Sequence, residues 1–198
     1  LDIGTARILS AAIKGVGAHF LDAPISGGPK RAEDGSLSIM VGAEQKPFEV
    51  ARPILEMMGT NISLMGGPSS GTAMKLINQH LVACHAVAAS EAFTLAMLLG
   101  IDIESATVVL GNSWGSSEMV KRNGPITANR AFKGSGAPLR NLHKDLTFIE
   151  SVSADLGQPL PLAKVAAKVY SQLMEMGLGD DDISAAVIAT EKLSTRQD

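Results

Sequence analysis

The hydrophobic pattern of the chain changes near residue 66. Before that point, apolar runs at residues 19–25, 37–42 and 61–66 alternate with helical spacing at residues 3–15 and 46–58. Short apolar runs separated by helical stretches are typical of strands and helices in an α/β layer. We therefore predict a small α/β region over residues 1–66.

After residue 66 the pattern is helical. Glycines follow the ends of several predicted helices, and Asp102 is placed to cap the second of them. The predicted helices cover residues 70–99, 102–110, 116–128, 138–156, 160–176 and about 180–193. The first is far longer than the usual helix of about 11–12 residues, so it must be packed along most of its length. Residues 67–198 are therefore predicted to be all-α, and the chain to be mainly α overall.

Composition excludes several classes of function. The 198 residues carry 17 basic and 20 acidic side chains, a balance that argues against nucleic-acid binding. A single cysteine, Cys84, excludes a disulfide framework and a cysteine-based zinc site. The longest apolar-leaning stretch, residues 81–99, is interrupted by His85, Ser90 and Glu91, which favours a buried helix over a membrane span.

Cysteine usage and the first residues bear on location. One cysteine is typical of a reducing compartment, and no signal peptide is recognised. We expect a cytoplasmic protein, with a mitochondrial location left open, because the chain begins without an initiator Met and the true N-terminus is not seen.

The stretch GPSSGTAMKLINQH is a glycine-containing turn that runs into the long helix. A Walker-type phosphate loop requires Lys directly after its second Gly, but Lys75 comes four residues after Gly71, so that interpretation fails. Lys75 and Asn78 share one helical face. Apolar neighbours and the helix N-terminus would favour a neutral Lys75 amine suited to acid–base chemistry, and the alternative is an ordinary surface lysine.

A second candidate site is DAPISGG, in which a short apolar run ends at Pro24. The backbone N–H groups of Ser26, Gly27 and Gly28 can point the same way and bind an anion, with the Ser26 hydroxyl as a further donor. The alternative is a plain turn after a strand.

The remaining polar features favour ordinary structural roles. Lys144 and Asp145 in HKDL adjoin, so they should not pair well and should face solvent. The same interpretation applies to Glu118, Lys121 and Arg122.

Trp114, in a Gly/Ser turn, should anchor its loop to the core, with a pocket as the alternative. The histidines show no zinc-binding arrangement, and three successive aspartates from Asp180 place negative charge at the N-terminus of the last helix.

Three segments together resemble the β-hydroxyacid dehydrogenase family, which includes 3-hydroxyisobutyrate dehydrogenase and tartronate semialdehyde reductase. DAPISGG, continuing to LSIMVGA, resembles the family's substrate-binding signature. GGPSSGTAMKLINQ resembles its catalytic-helix signature, and LHKDLTFIESVSADLG resembles its late cofactor-side segment. With the GLGDDDISA ending, they follow the family's order over residues 3–193.

The resemblance implies a role for each substrate-side residue. Lys75 would be the general acid/base, and Asn78 would orient the substrate by a hydrogen bond. Ser26, Gly27 and Gly28 would hold the substrate carboxylate. The reaction would interconvert a small 3-hydroxy acid and its semialdehyde or keto acid.

On the cofactor side, the resemblance implies that Lys144 lies beside NAD or NADP and that Asp145 supports it. Family members open with a Rossmann unit containing GxGxxG, which follows no strand in this chain. We therefore expect residues 1–66 to be the C-terminal part of a dinucleotide-binding α/β domain and residues 67–198 to be an all-helical substrate and dimerisation domain. Such a fragment should bind NAD(P) weakly and be inactive alone.

Two alternatives stay open. One is a non-catalytic helical dimerisation or scaffold module of the same fold. The other is a 6-phosphogluconate dehydrogenase-like enzyme, which would need a cluster of basic residues that we do not identify. The long apolar helix also predicts a homodimer or homotetramer. The expected partners are copies of this chain and a small hydroxy acid, without nucleic acid or membrane.

Overall fold

The computed structural model describes residues 2–134 and 136–193. The chain divides into two compact units, Leu1–Asn78 and Gln79–Asp198. The outer ends of the two predicted domains, residue 1 and residues 194–198, lie outside the described residues. The domain boundary predicted after residue 66 stays a prediction.

The first unit is an α/β layer with a three-stranded sheet of order β1-β2-β3. Strands β2 and β3 are parallel and joined by helix α3, whereas β1 is antiparallel to β2. Its elements are α1 (Ile3–Gly15), β1 (Ile25–Ser26), α2 (Gly28–Glu33), β2 (Leu37–Gly42), α3 (Gln45–Leu55) and β3 (Gly59–Gly66).

Hydrophobic alternation explains the core of this unit. Leu37, Ile39 and Val41 are buried, as expected for every second residue of a strand with one core face. They form a cluster with Phe48 and Leu55 of α3. The predictions of α1 and β2 are confirmed to the residue, and α3 and β3 are confirmed with shifted ends.

The strand predicted over residues 19–25 is confirmed only at Ile25, where β1 begins. Regular pairing is limited to β1, because Pro24 has no N–H to donate to a ladder. The segment nevertheless follows β2, since the Pro24 carbonyl accepts the Met40 N–H at 3.0 Å and Asp22 bridges to Gly42. Helix α2 was not predicted, and its sequence signal is Pro29 in the first turn.

The second unit is helical. Helix α4 (Ser70–Leu98) begins in the first unit and continues into the second. It is followed by α5 (Ile103–Gly111), α6 (Glu118–Ala128), α7 (Leu139–Asp155), α8 (Pro161–Glu175), a 3-10 turn (Ile183–Ala185) and α9 (Ala186–Leu193). Helix α5 packs against α6, and α7 packs against α8. The predicted all-α architecture and the Asp102 cap of α5 are confirmed, since Asp102 accepts the Ser105 N–H at 2.8 Å.

Helix α4 is long and apolar enough to cross a membrane by length and composition alone. Core helices of globular proteins pass the same test. Ala89 and Phe93 are buried in a cluster with Ile103 of α5 and Val120 of α6, which accounts for part of this apolar surface. Only 44% of its most apolar 18-residue window is buried, so apolar side chains remain exposed along the helix.

The three successive aspartates do more than place charge near the last helix. Asp182 caps the 3-10 turn by accepting the Ser184 N–H at 2.9 Å. Its buried carboxylate also accepts two hydrogen bonds from the Arg122 guanidinium, at 2.9 and 2.6 Å. The interpretation of Arg122 as a solvated residue is therefore wrong: the contact joins positions sixty residues apart, which local pattern does not reveal.

Trp114 does not anchor its loop to the core. Its side chain is fully exposed within this chain, so that prediction is wrong. The Gly/Ser turn around it, which lies between α5 and α6, is instead held by side-chain hydrogen bonds to the end of α5. Short polar side chains close the turn, and no burial of the indole is needed.

Candidate active site

The predicted acid/base residue lies in the second turn of α4. Lys75 and Asn78 are both half-buried, and Thr72 and Leu76 beside them are buried. Lys75 therefore lies beside buried positions, which is unusual for a lysine on an ordinary solvent face, whereas Ile77 two residues further on is exposed. The chemical roles of Lys75 and Asn78 stay predictions.

A carboxylate from outside the helix fixes the start of α4. Asp22 is buried, and its two oxygens accept the backbone N–H groups of Ser69 and Thr72, each at 2.6 Å. The first N–H groups of a helix have no intrahelical partner, and an acidic acceptor there also suits the helix dipole. Sequence reasoning singled out DAPISGG but missed Asp22, because its partners lie 47 and 50 residues away.

The glycine of the turn is explained by packing. A Cβ at Gly71 would overlap the Met40 carbonyl oxygen, the Asp22 carbonyl oxygen and the Gly42 nitrogen. The first turn of α4 thus lies directly on the backbone at the end of β2. The stretch is a close-packing turn, in agreement with the failure of the Walker pattern.

The predicted substrate turn lies in the same unit. Ser26 ends β1 and is half-buried, and Gly27 and Gly28 are exposed. Gly27 has φ 140° and Gly28 has φ 71°, conformations that favour glycine at both positions. Gly27 is the N-cap of the six-residue helix α2, whose first N–H groups have no intrahelical partner and whose second residue, Pro29, has no N–H. The function of this turn as a carboxylate site stays a prediction.

Lys144 and Asp145 of α7 do interact, so the expectation that they would not pair is wrong. The Lys144 ammonium lies 3.3 Å from the Asp145 carboxylate and 5.8 Å from the centre of the Phe148 ring. The lysine side chain is long enough to bend back to its neighbour. Asp145 also accepts a hydrogen bond from the Gln79 side chain at 2.7 Å. Gln79 is not among the site residues predicted from the sequence. The one sequence feature that points to it is its position four residues after Lys75 on α4.

The second unit thus brings Lys144 and Asp145 together with Gln79. The first unit contains the other five predicted site residues: Ser26, Gly27, Gly28, Lys75 and Asn78. No group of three or more His, Cys, Asp or Glu side chains suited to a metal ion occurs among residues 2–134 and 136–193.

A cavity of about 160 Å³ lies elsewhere in the first unit. Its walls are the end of α1, the chain that follows α1, and residues around α3 and Pro68. The charged or titratable side chains that line it are Lys14, His19 and Glu44. None of the predicted site residues lines it.

Two family models divide the chain between them. Residues 69–190 match the model described as NAD-binding of NADP-dependent 3-hydroxyisobutyrate dehydrogenase. Residues 1–67 match the model described as the NAD binding domain of 6-phosphogluconate dehydrogenase.

Curated relatives agree with these matches. The chain is 34% identical over 185 residues to 2-(hydroxymethyl)glutarate dehydrogenase of Eubacterium barkeri, covering 93% of this chain and 60% of the relative. It is 33% identical to the mitochondrial 3-hydroxyisobutyrate dehydrogenase of Drosophila melanogaster, covering 95% and 60%. It is 32% identical to 2-hydroxy-3-oxopropionate reductase of Escherichia coli, covering 92% and 62%.

Solved structures share the fold. A 3-hydroxyisobutyrate dehydrogenase of Mycobacterium tuberculosis, solved with L-serine, has a TM-score of 0.87 at 32% identity, covering 98% of this chain and 67% of that one. The corresponding enzyme of Salmonella typhimurium has a TM-score of 0.88 at 27% identity, covering 94% and 66%. The chain spans 55–60% of the length of the first three curated relatives. The model match over residues 69–190 extends over more than half of the sequence, and the chain belongs to the β-hydroxyacid dehydrogenase family.

Proposed function

We propose that this chain carries the substrate-side chemistry of an NAD(P)-dependent oxidoreductase that interconverts a small 3-hydroxy acid and its semialdehyde or keto acid. The observation that carries this is Lys75, half-buried on a turn of α4 that Asp22 fixes from the DAPISGG segment. A flexible surface lysine needs no such support. Family membership supplies the reaction class.

Lys75 supplies the proton that the reaction requires. During reduction its ammonium donates a proton to the carbonyl oxygen, and in oxidation the neutral amine takes the proton from the hydroxyl. Asn78, almost one turn further along the same face, orients the substrate by a hydrogen bond. A bound nicotinamide cofactor supplies or accepts the accompanying hydride. One hydride and one proton are transferred per turnover.

The Ser26-Gly27-Gly28 turn binds the substrate carboxylate in this proposal. Backbone N–H groups at the start of α2 and the Ser26 hydroxyl are donors suited to a carboxylate. A Cβ at Gly28 would meet nothing within 4 Å, so the substrate can approach the backbone closely at this glycine.

Lys144 fits the cofactor side. Its side chain is 58% exposed yet is held by Asp145 and by the Phe148 ring, so a positioned cation remains available to an anionic or polar cofactor group. No GxGxxG follows a strand in this chain. We therefore propose that the chain alone binds NAD or NADP weakly. We also propose that the chain alone converts little or no substrate.

Self-association is part of the proposal. Exposed apolar side chains on α4 include Ile77, Leu81, Leu95 and Leu98. Ile77 and Leu81 are four residues apart and Leu95 and Leu98 are three apart, so each pair shares one helical face, as apolar interface residues commonly do. We propose a homodimer or homotetramer, and light scattering that shows a clean monomer would contradict it.

Binding experiments with this chain test the proposal. In an amide NMR titration, a small 3-hydroxy acid should move the signals of Ser26, Gly27, Gly28, Lys75 and Asn78. Shifts confined to other residues, or none at millimolar acid, would contradict the substrate assignment. A fluorescence titration with NADH and NADPH tests weak cofactor binding, and micromolar affinity for either would refute it.

A 6-phosphogluconate dehydrogenase-like enzyme is the second candidate, favoured by the model match of residues 1–67. The same NMR titration with 6-phosphogluconate separates the two. Stronger and wider shifts with the phosphorylated sugar acid than with the 3-hydroxy acid would favour this candidate. A scaffold module would show shifts with neither acid.

A further inference from the structure

The buried carboxylate of Asp22 connects two segments that are distant in sequence. One oxygen accepts the Ser69 N–H and the other accepts the Thr72 N–H, each at 2.6 Å. Asp22 itself is 4% exposed. Short hydrogen bonds from N–H groups to a buried carboxylate are among the stronger ones in proteins, so this contact fixes its partners firmly.

The turn that receives this carboxylate needs outside support. Ser69 has φ 79°, in the left-handed region that side-chain-bearing residues rarely adopt, and it is buried. Such a conformation persists only where its surroundings hold it. The Asp22 carboxylate accepts the Ser69 N–H itself, so it acts at the strained residue.

Backbone packing adds a second constraint at the same place. A Cβ at Gly42 would overlap the Asp22 carboxylate and the Gly71 nitrogen. Asp22, the end of β2 and the first turn of α4 are therefore packed without room for a methyl group. Lys75 follows Thr72 by three residues on this helix, so the placement of the turn sets the placement of Lys75.

We propose that Asp22 is a positioning residue for proton transfer. Its carboxylate holds the first turn of α4, and with it Lys75, in a fixed relation to the substrate turn that begins four residues after Asp22 at Ser26. The inference rests on the proposed function, which makes Lys75 the acid/base. Asp22 itself touches neither substrate nor cofactor in this role.

The test uses the 198-residue chain and the variant Asp22→Asn, which keeps the size of the side chain. In the variant, an NH2 group replaces one carboxylate oxygen and faces a backbone N–H donor, so one of the two hydrogen bonds is lost. Hydrogen exchange at Ser69 and Thr72, read by NMR, should accelerate by about tenfold or more. The ¹³C-methyl signal of reductively methylated Lys75 should shift at the same time.

The matched control is Asp102→Asn, which weakens an exposed cap of the ordinary local kind. It should accelerate exchange at Ser105 and leave Ser69, Thr72 and the Lys75 signal unchanged.

Either of two results would overturn the proposal. Unchanged exchange at Ser69 and Thr72 would remove Asp22 as the anchor of the turn. Faster exchange with an unmoved Lys75 signal would leave Asp22 as a cap that does not position the lysine. These readouts need no turnover, so they stand even if Lys75 proves unnecessary for catalysis.

Native-state hydrogen exchange of the unsubstituted chain covers the case in which Asp22→Asn does not fold. With added urea below the unfolding transition, Ser69 and Thr72 should lose protection together, and the Lys75 signal should shift over the same urea range. Loss of protection at Ser69 and Thr72 at different urea concentrations, or without a change in the Lys75 signal, would overturn the proposal.

Discussion

Asp22 of the first unit and Asp182 of the second are both buried, and they are held by different partners. Asp22 is held by backbone N–H groups at the start of α4. Asp182 is held by the Arg122 guanidinium together with one backbone N–H group. A guanidinium neutralises a carboxylate and adds stability to a packed helical unit, whereas backbone donors fix the path of the chain. In our proposal Asp182 serves the fold of the helical unit, whereas Asp22 also positions the candidate site.

The largest expected effect on stability comes from removing the cation beside Asp182. Arg122→Ala leaves a buried carboxylate without its guanidinium and should lower the free energy of unfolding by about 3 kcal/mol. Urea denaturation measures this change. The control is Arg52→Ala, which breaks an exposed pair with Glu56 and should cost less than about 1 kcal/mol. An equal decrease in the free energy of unfolding in the two variants would show that the buried Arg122–Asp182 pair contributes no more than an exposed pair.

A smaller effect is expected where Asp22 meets α4. Gly71→Ala forces a methyl group against backbone atoms that have no room to move aside, and it should cost about 2 kcal/mol. Gly67→Ala, in the same turn, meets open space and should stay within about 0.5 kcal/mol of the parent chain. Urea denaturation of both variants tests the difference, and similar stabilities would mean that the first turn of α4 does not lie tightly on β2.

The smallest effect concerns the surroundings of Asp182. Tyr170, the only tyrosine, is fully buried and donates its hydroxyl proton to the Ile183 carbonyl. Burial, and then the charge of Asp182, raises the pKa of Tyr170 far above the ordinary 10.0. The unfolded chain releases this proton near pH 10 and the folded chain retains it, so stability is intact below that pH and falls as the pH rises above it.

Absorbance titration measures this behaviour directly. Tyrosinate should form only as circular dichroism reports unfolding in alkali. A tyrosinate transition near pH 10 in a chain that stays folded would contradict the burial of Tyr170 beside Asp182.

Local signals made much of the fold predictable. A short apolar run predicted β2, glycines after helix ends predicted where α4 and α8 end, and Asp102 predicted the start of α5. The apolar run before β1 predicts a longer strand than the structure has. This segment lies along β2, but it makes only isolated backbone hydrogen bonds to it and no full ladder.

The candidate site was predictable only in part. Lys75, Asn78 and the Ser26-Gly27-Gly28 turn stand in recognisable motifs. The supports of that site were not predictable, since the Asp22 contact with Ser69 joins residues 47 positions apart and the Gln79 contact with Asp145 joins residues 66 positions apart. Hydrogen bonds of this kind depend on how the chain folds back, which residue spacing does not encode.

Turnover of the Lys75→Ala variant tests whether Lys75 transfers the proton. In an enzymatically active protein that contains this chain, kcat for reduction of a small semialdehyde should fall by about a hundredfold or more. The control variant Lys168→Ala removes an exposed lysine of α8 and should leave kcat unchanged. Near-normal kcat in Lys75→Ala would contradict this role, because another group would then be donating the proton to the carbonyl oxygen.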